Sequence, residues 1–169
     1  MKTACIIISI ISLLLIFAGC VSRSEEIREV SGDVIELGQI TVTAEEKDFR
    51  ELVEPEEPRG YYEFYEEHEG YRYYVISGTV ENTGSAAVPS SAFTVTAETD
   101  GSRRDGKLLF LNRLNSEFTE AIEAGDTLPC FLMVLVKDDE VPERLSVFYN
   151  SDYSQEDGKS FDCQVDITL

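Results

Sequence analysis

The sequence predicts an all-β fold, a sandwich of about seven to eight strands. Three observations predict it: apolar residues recur at a period of two rather than 3.6, Gly- and Asn-containing turn signals fall at short intervals, and no long stretch after the first twenty residues carries a helical period.

The N-terminus is a separate element. Met1 and Lys2 give a minimal positive start, and Ala4 to Phe17 runs without a charge. That run is a signal-peptide hydrophobic region, short against the roughly 20 apolar residues of a membrane span. Phe17-Ala18-Gly19-Cys20 resembles the bacterial lipobox, in which small residues precede a cysteine that is diacylated and becomes the mature N-terminus. Phe17 stands where that motif usually has leucine. The resemblance implies a lipoprotein signal peptide over residues 1–19 and lipidation of Cys20. The competing reading is an uncleaved membrane anchor. Polar residues begin at Ser22, however, with no stop-transfer cluster of positive charge. Either way the remaining chain faces the extracytoplasmic side of a cell membrane. Residues 20–32 are polar and acidic and read as a tether, which leaves residues 33–169 for the folded domain.

Within that domain the strands follow in order. Asp33 to Ala44 alternates through Ile40, Val42 and Ala44, with Gly38 as an expected bulge. Tyr71 to Glu81 places Tyr71, Tyr73 and Val75 on one face and Tyr74 and Ile76 on the other, and Asn82-Thr83-Gly84-Ser85 is a turn. Ala92 to Thr99 carries Phe93, Val95 and Ala97 at period two, and Asp100-Gly101 ends it. Lys107 to Leu111 is a short apolar run, and Glu117 to Ile122 leads into the turn Glu123-Ala124-Gly125-Asp126. Leu128 to Val136 is almost continuously apolar, as a strand covered on both faces would be. After the loop Lys137 to Glu140, Arg144 to Tyr149 and Ser160 to Leu169 complete the series. Greek-key, immunoglobulin-like connectivity is the default architecture for such a set. One stretch stands apart: Glu45 to Gly70 holds Pro55, Pro58 and Gly60, then Tyr61, Tyr62, Phe64 and Tyr65 among acids. A connection of that length is usually functional or disordered.

Taken together, Tyr61-Tyr62-Glu63-Phe64-Tyr65, the run Glu69-Gly70-Tyr71-Arg72-Tyr73 leading to Gly78-Thr79-Val80-Glu81-Asn82-Thr83-Gly84, Ala124-Gly125-Asp126 and Val141-Pro142-Glu143 form a pattern. It resembles the immunoglobulin-like domains of Gram-positive lipoproteins of the DUF4352 type, related to telokin-like secreted antigens, over roughly residues 33 to 150. The resemblance implies an immunoglobulin-like β-sandwich and carries no catalytic residues.

Composition narrows the partners. Loss of Lys2 with the signal peptide leaves 13 basic against 33 acidic residues, a net charge of −20. Nucleic acid is disfavoured, since its binding needs a basic footprint. Cationic proteins, peptides, polyamines and Ca²⁺ are favoured, although the same charge also serves simply to keep an envelope protein soluble. With Cys5 removed and Cys20 lipidated, Cys130 and Cys163 remain, an even number in an oxidising compartment. A disulfide between them is expected and would contribute about 3 to 4 kcal/mol on the loop-entropy model. The alternative is two buried free thiols.

Catalytic chemistry finds little material. His68 is the only histidine and sits among Glu66, Glu67 and Glu69, which excludes multi-histidine metal sites and favours a surface role. Gly158-Lys159-Ser160 imitates the tail of a P-loop, but Tyr153 occupies the place of its first glycine. Glu66/Glu67/Glu69, Asp138/Asp139/Glu140 and Asp152/Glu156/Asp157 offer oxygen ligands without the spacing of a calcium loop, and solvated loops explain them as well. No metal ligand set and no cofactor is assigned. Tyr61, Tyr62, Phe64 and Tyr65 are the candidate partner-binding residues, because tyrosines give rigid contact area with a polar tip. Tyr71, Tyr73 and Tyr74 are expected to pack in the core or at its edge. The expectation is a non-enzymatic, membrane-anchored interaction module meeting an envelope protein or wall polymer. The alternatives are an acidic inhibitor of a cationic envelope-attacking enzyme and a carboxylate-based hydrolase.

Overall fold

A computed structural model describes residues 26–30, 32–152 and 161–169. Cys20 therefore lies outside the described residues, as do Glu156 and Asp157 of the third acidic cluster. The described chain is all β: β1 (Glu26–Val30), β2 (Val34–Leu37), β3 (Ile40–Arg50), β4 (Tyr71–Asn82), β5 (Val88–Pro89), β6 (Phe93–Thr99), β7 (Ser102–Leu111), β8 (Phe118–Thr119), β9 (Ala121–Ile122), β10 (Thr127–Lys137), β11 (Arg144–Tyr149) and β12 (Cys163–Thr168). Ten of these belong to one hydrogen-bonded sheet in the order β1-β12-β11-β6-β7-β10-β4-β3-β2, with β8 against β7, while β5 and β9 form a separate pair. The strand number thus exceeds the expected seven to eight. The excess comes from short segments, from the division of residues 33–44 between β2 and β3, and from β1, whose polar sequence gives no apolar alternation.

Residues 26–30, placed in the tether by their charge, form β1, which runs parallel to β12 from the Glu26–Cys163 pair to the Val30–Ile167 pair. The folded body therefore includes Glu26–Val30, ahead of the boundary expected at residue 33. Gly38 is not a bulge but half of the turn between β2 and β3, at φ 65°. The bulge lies further on, between Ala44 and Glu46. Gly78 faces it on β4, where a Cβ would lie 2.0 Å from the Thr43 carbonyl oxygen, so the close approach of the two backbones requires glycine.

The sheet coils until it is nearly a barrel, with β2 brought beside β12: the Cys163 thiol lies 3.9 Å from the Glu36 carbonyl oxygen. The main core fills the inside, with Ile35, Leu37, Ile40, Ile76, Val80, Phe110, Leu132, Leu145, Val147 and Val165 among its members. A second, smaller core lies on the outer face of β4, β7 and β10, formed by Val53, Tyr73, Val75, Leu109, Leu111, Phe131 and Met133. Both faces of β10 are therefore covered, which explains its unbroken apolar run.

Cys130 on β10 and Cys163 on β12 both point into the main core as free thiols. No disulfide joins them, against the expectation. Around the coiled sheet they are four strands apart in either direction. Facing sheets are about 10 Å apart, and a disulfide needs Cα atoms within about 7 Å.

Two motifs singled out in the sequence meet at the end where β1 begins. The Asn82 backbone N–H donates to the Asp126 carbonyl at 3.0 Å, and the Gly125 N–H donates to the Asn82 carbonyl at 2.8 Å. The buried Asn82 amide donates to the carbonyls of Ala86 (2.8 Å) and Ile122 (3.2 Å), and its Oδ1 accepts from the Gly84 N–H at 3.0 Å. Asn-Thr-Gly and Ala-Gly-Asp are thus one interlocked pair of turns, and the asparagine is structural.

Candidate functional site

The connection from β3 to β4, residues 51–70, runs over the outer face of the sheet and returns. Two residues pin it. The Val53 N–H donates to the Tyr65 carbonyl at 3.1 Å and the Tyr65 N–H donates to the Val53 carbonyl at 2.8 Å, a short bridge that draws the two arms together. Val53 is fully buried in the outer core. The Tyr65 ring packs edge-on against Tyr73 and Phe118, at centroid distances of 6.4 and 6.0 Å, and the Lys107 ammonium lies 5.0 Å from its centre. The Tyr73 hydroxyl donates to the Glu66 carbonyl at 3.0 Å and fastens the returning arm. Burial pushes the Tyr73 and Tyr74 phenols above their ordinary pKa.

The four aromatic candidates therefore divide. Tyr65 is an anchor whose ring serves the outer core. Tyr61 projects outward, 98% exposed, beyond the turn at Gly60, whose φ of 70° suits glycine. Phe64 is 49% exposed, and Tyr62 packs beside it at 6.1 Å between centroids. The Tyr62 hydroxyl donates to Glu54 Oε2 at 2.9 Å, and that hydrogen bond raises its pKa. Leu52, 39% exposed, joins Phe64, Glu66 and Glu67 around an open groove of about 580 Å³. The surface is apolar at its centre and acidic at its rim. Leu52 was not legible as part of it, because only the fold of the crossing brings positions 52 and 64 together.

The other residues with chemical potential are committed elsewhere. Among the described residues no group of three or more His, Cys, Asp and Glu side chains is placed to hold a metal. Burial in the core drives the Cys130 thiol up to about 12, far from a nucleophilic thiolate. His68 is exposed, its ring 6.4 Å from that of Tyr73. Of the Asp138, Asp139 and Glu140 cluster, Glu140 turns inward. Arg104 Nη2 and Nε reach its two oxygens at 2.7 and 3.1 Å, while the Thr99 hydroxyl and the Lys137 N–H donate at 3.3 Å. The Arg104 hydrogen bond holds the Glu140 carboxyl at about 2. Of the expected tyrosines Tyr73 and Tyr74 are buried, whereas Tyr71 is 37% exposed at the end of β4.

No known family profile matches the chain, and no curated protein is similar to it. Solved structures resemble it in fold. An uncharacterized β-sandwich protein from Clostridium difficile 630 superposes with a TM-score of 0.60 at 17% identity, over 86% of this chain and 96% of its own. Two Bacillus subtilis proteins superpose more loosely. A candidate lipoprotein, ycdA, has a TM-score of 0.46 at 12% identity over 83% of this chain and 39% of its own, and the yjhA protein has 0.45 at 14% over 83% and 99%. The fold of this chain is a β-sandwich of the kind seen in the clostridial protein.

Proposed function

We propose that the protein is a membrane-tethered, non-enzymatic binding module of the cell envelope, meeting a partner protein or wall polymer through the surface of Tyr61, Tyr62 and Phe64. The observation that carries the reading is exposed aromatic area on a pinned support. Tyr61 and Phe64 stand out from a crossing whose Val53 and Tyr65 are locked to the sheet, so little ordering is lost on contact. The strand orders β3-β4-β10-β7 and β6-β11-β12 follow the ABED and CFG arrangement of a constant-type immunoglobulin domain, which supports the immunoglobulin-like, DUF4352-type and telokin-like reading. With Cys20 lipidated, only residues 21–25 separate the anchor from β1, a reach of about 17 Å when extended. The module would then stand close to the membrane.

Cross-linked capture from intact cells tests this, with the tagged chain beside Cys20→Ser and a Tyr61→Ala/Phe64→Ala double variant. The expected result is a partner recovered with the wild type and lost with both variants. Equal recovery by the double variant overturns the surface assignment.

The charge of −20 favours a second reading, an acidic inhibitor of a cationic enzyme. It requires lysozyme binding that weakens between about 0.05 and 0.5 M salt. Absence of such binding ends it.

A further inference from the structure

Two arginines close the main core at the end of the sandwich away from Glu26. Arg104 on β7 is matched by the inward carboxylate of Glu140. Arg72, on β4 at the far side of β10, has no such match. Its guanidinium carbon stacks 3.6 Å from the centre of the Phe49 ring. Its Nε is enclosed without a hydrogen-bond partner, and among the described residues no carboxylate pairs with it. An enclosed guanidinium N–H without an acceptor is costly, and the charge of Arg72 is left to be matched through its outer N–H groups. A guanidinium held flat on an aromatic ring presents its remaining N–H groups as a fork suited to a carboxylate.

Arg72 opens into a cavity of about 290 Å³ that Glu51, Asp138 and Arg50 also line, the charge of Arg50 being matched by Asp48 at 2.9 Å. A second cavity of about 370 Å³ shares Glu51 and Asp138 and adds Glu67 and Glu69. Among the described residues none of these four carboxylates is paired with a cation. An anion alone would be repelled by this surroundings, and a cation alone would leave Arg72 unmatched. The ligand that satisfies both is one whose carboxylate sits a side-chain length from a positive charge.

We propose that this trough binds the free α-carboxylate end of a basic residue, with the carboxylate on Arg72 and the side-chain cation among Glu51, Asp138, Glu67 and Glu69. The same chemistry is offered by free lysine or arginine and by the C-terminus of a basic peptide. The trough shares Glu67 with the rim of the groove beside Phe64, but its test reads Arg72 and Asp138, which that groove lacks, so its failure leaves that reading untouched.

Calorimetric titration of the full chain in detergent micelles, with L-lysine, Ala-Ala-Lys, Ala-Ala-Lys amide and Ala-Ala-Ala, tests it. The acid forms are expected to bind at least tenfold more tightly than the amide. Arg72→Gln removes that preference, and its melting curve reports whether the variant is folded. Asp138→Asn, at an exposed loop position, weakens Ala-Ala-Lys but not Ala-Ala-Ala. Tighter binding of the tripeptide than of lysine assigns the site to peptide ends, and the reverse assigns it to the free amino acid. Equal binding of acid and amide, or binding of neither acid at millimolar concentration, overturns the proposal.

Discussion

Glu140 illustrates how one side chain can act against the character of its neighbourhood. Asp138 and Asp139 face solvent in the same turn, whereas Glu140 is drawn inward by a two-point contact with Arg104. Its carboxyl titrates near 2, below the ordinary 4.5, so the folded state binds its proton more weakly than the unfolded state does. The resulting stability is complete above the ordinary carboxylate range and is lost as pH falls from about 4.5 toward 2. Thermal melts of Glu140→Gln are expected to lie below the wild type at pH 7 and to converge with it at pH 2 to 3. A constant difference across that range would show that Glu140 acts by packing alone. Nothing in Lys-Asp-Asp-Glu distinguishes the inward acid from the outward ones, because its partners lie at positions 99 and 104. The interlocked turns at Asn82 were legible as two local motifs, but their contact with each other was not.

At the scale of elements, legibility followed how much of a strand is apolar. β4 and β10 carry long hydrophobic stretches and were placed within a residue or two. β1, with the sequence Glu-Ile-Arg-Glu-Val, and the first half of β7, Ser-Arg-Arg-Asp-Gly, are held by backbone pairing with a neighbour and leave mostly polar side chains outside. Propensity gives no sign of such strands. The crossing of residues 51–70 was legible as unusual, but its attachment depends on Val53 meeting Tyr65 above Phe131 and Met133. Val53→Ala removes about 2 kcal/mol of buried apolar surface from that attachment. Trypsin cleavage after the exposed Arg59 is expected to accelerate in this variant, while the amides of β4 and β10 keep their protection from hydrogen exchange. Loss of protection in those strands as well would mean that the outer core is integral to the whole sheet.

The molecule as a whole carries a formal net charge of −19 and few compensating cations, two of which are committed to partners at the sheet: Arg104 to Glu140 and Arg50 to Asp48. Self-repulsion of this size destabilises the compact state and is screened by salt. The melting temperature at pH 7 is therefore expected to rise between about 0.01 and 0.15 M NaCl. A fall over that interval would mean that attractive pairs outweigh the repulsion.

The parallel pairing of β1 with β12 has a mechanical consequence for an anchored protein. A load transmitted from the N-terminus enters the body at Glu26, at the end of β1 where Cys163 begins its partner. If the opposite end, with its trough at Arg72, is held by something in the wall, the pull runs along the strand. Drawn forward past Cys163, β1 would have to slip its five-residue ladder all at once in shear, whereas a sideways pull would peel it one bond at a time. The first strand is then the coupling that lets the sandwich bear tension without opening its core.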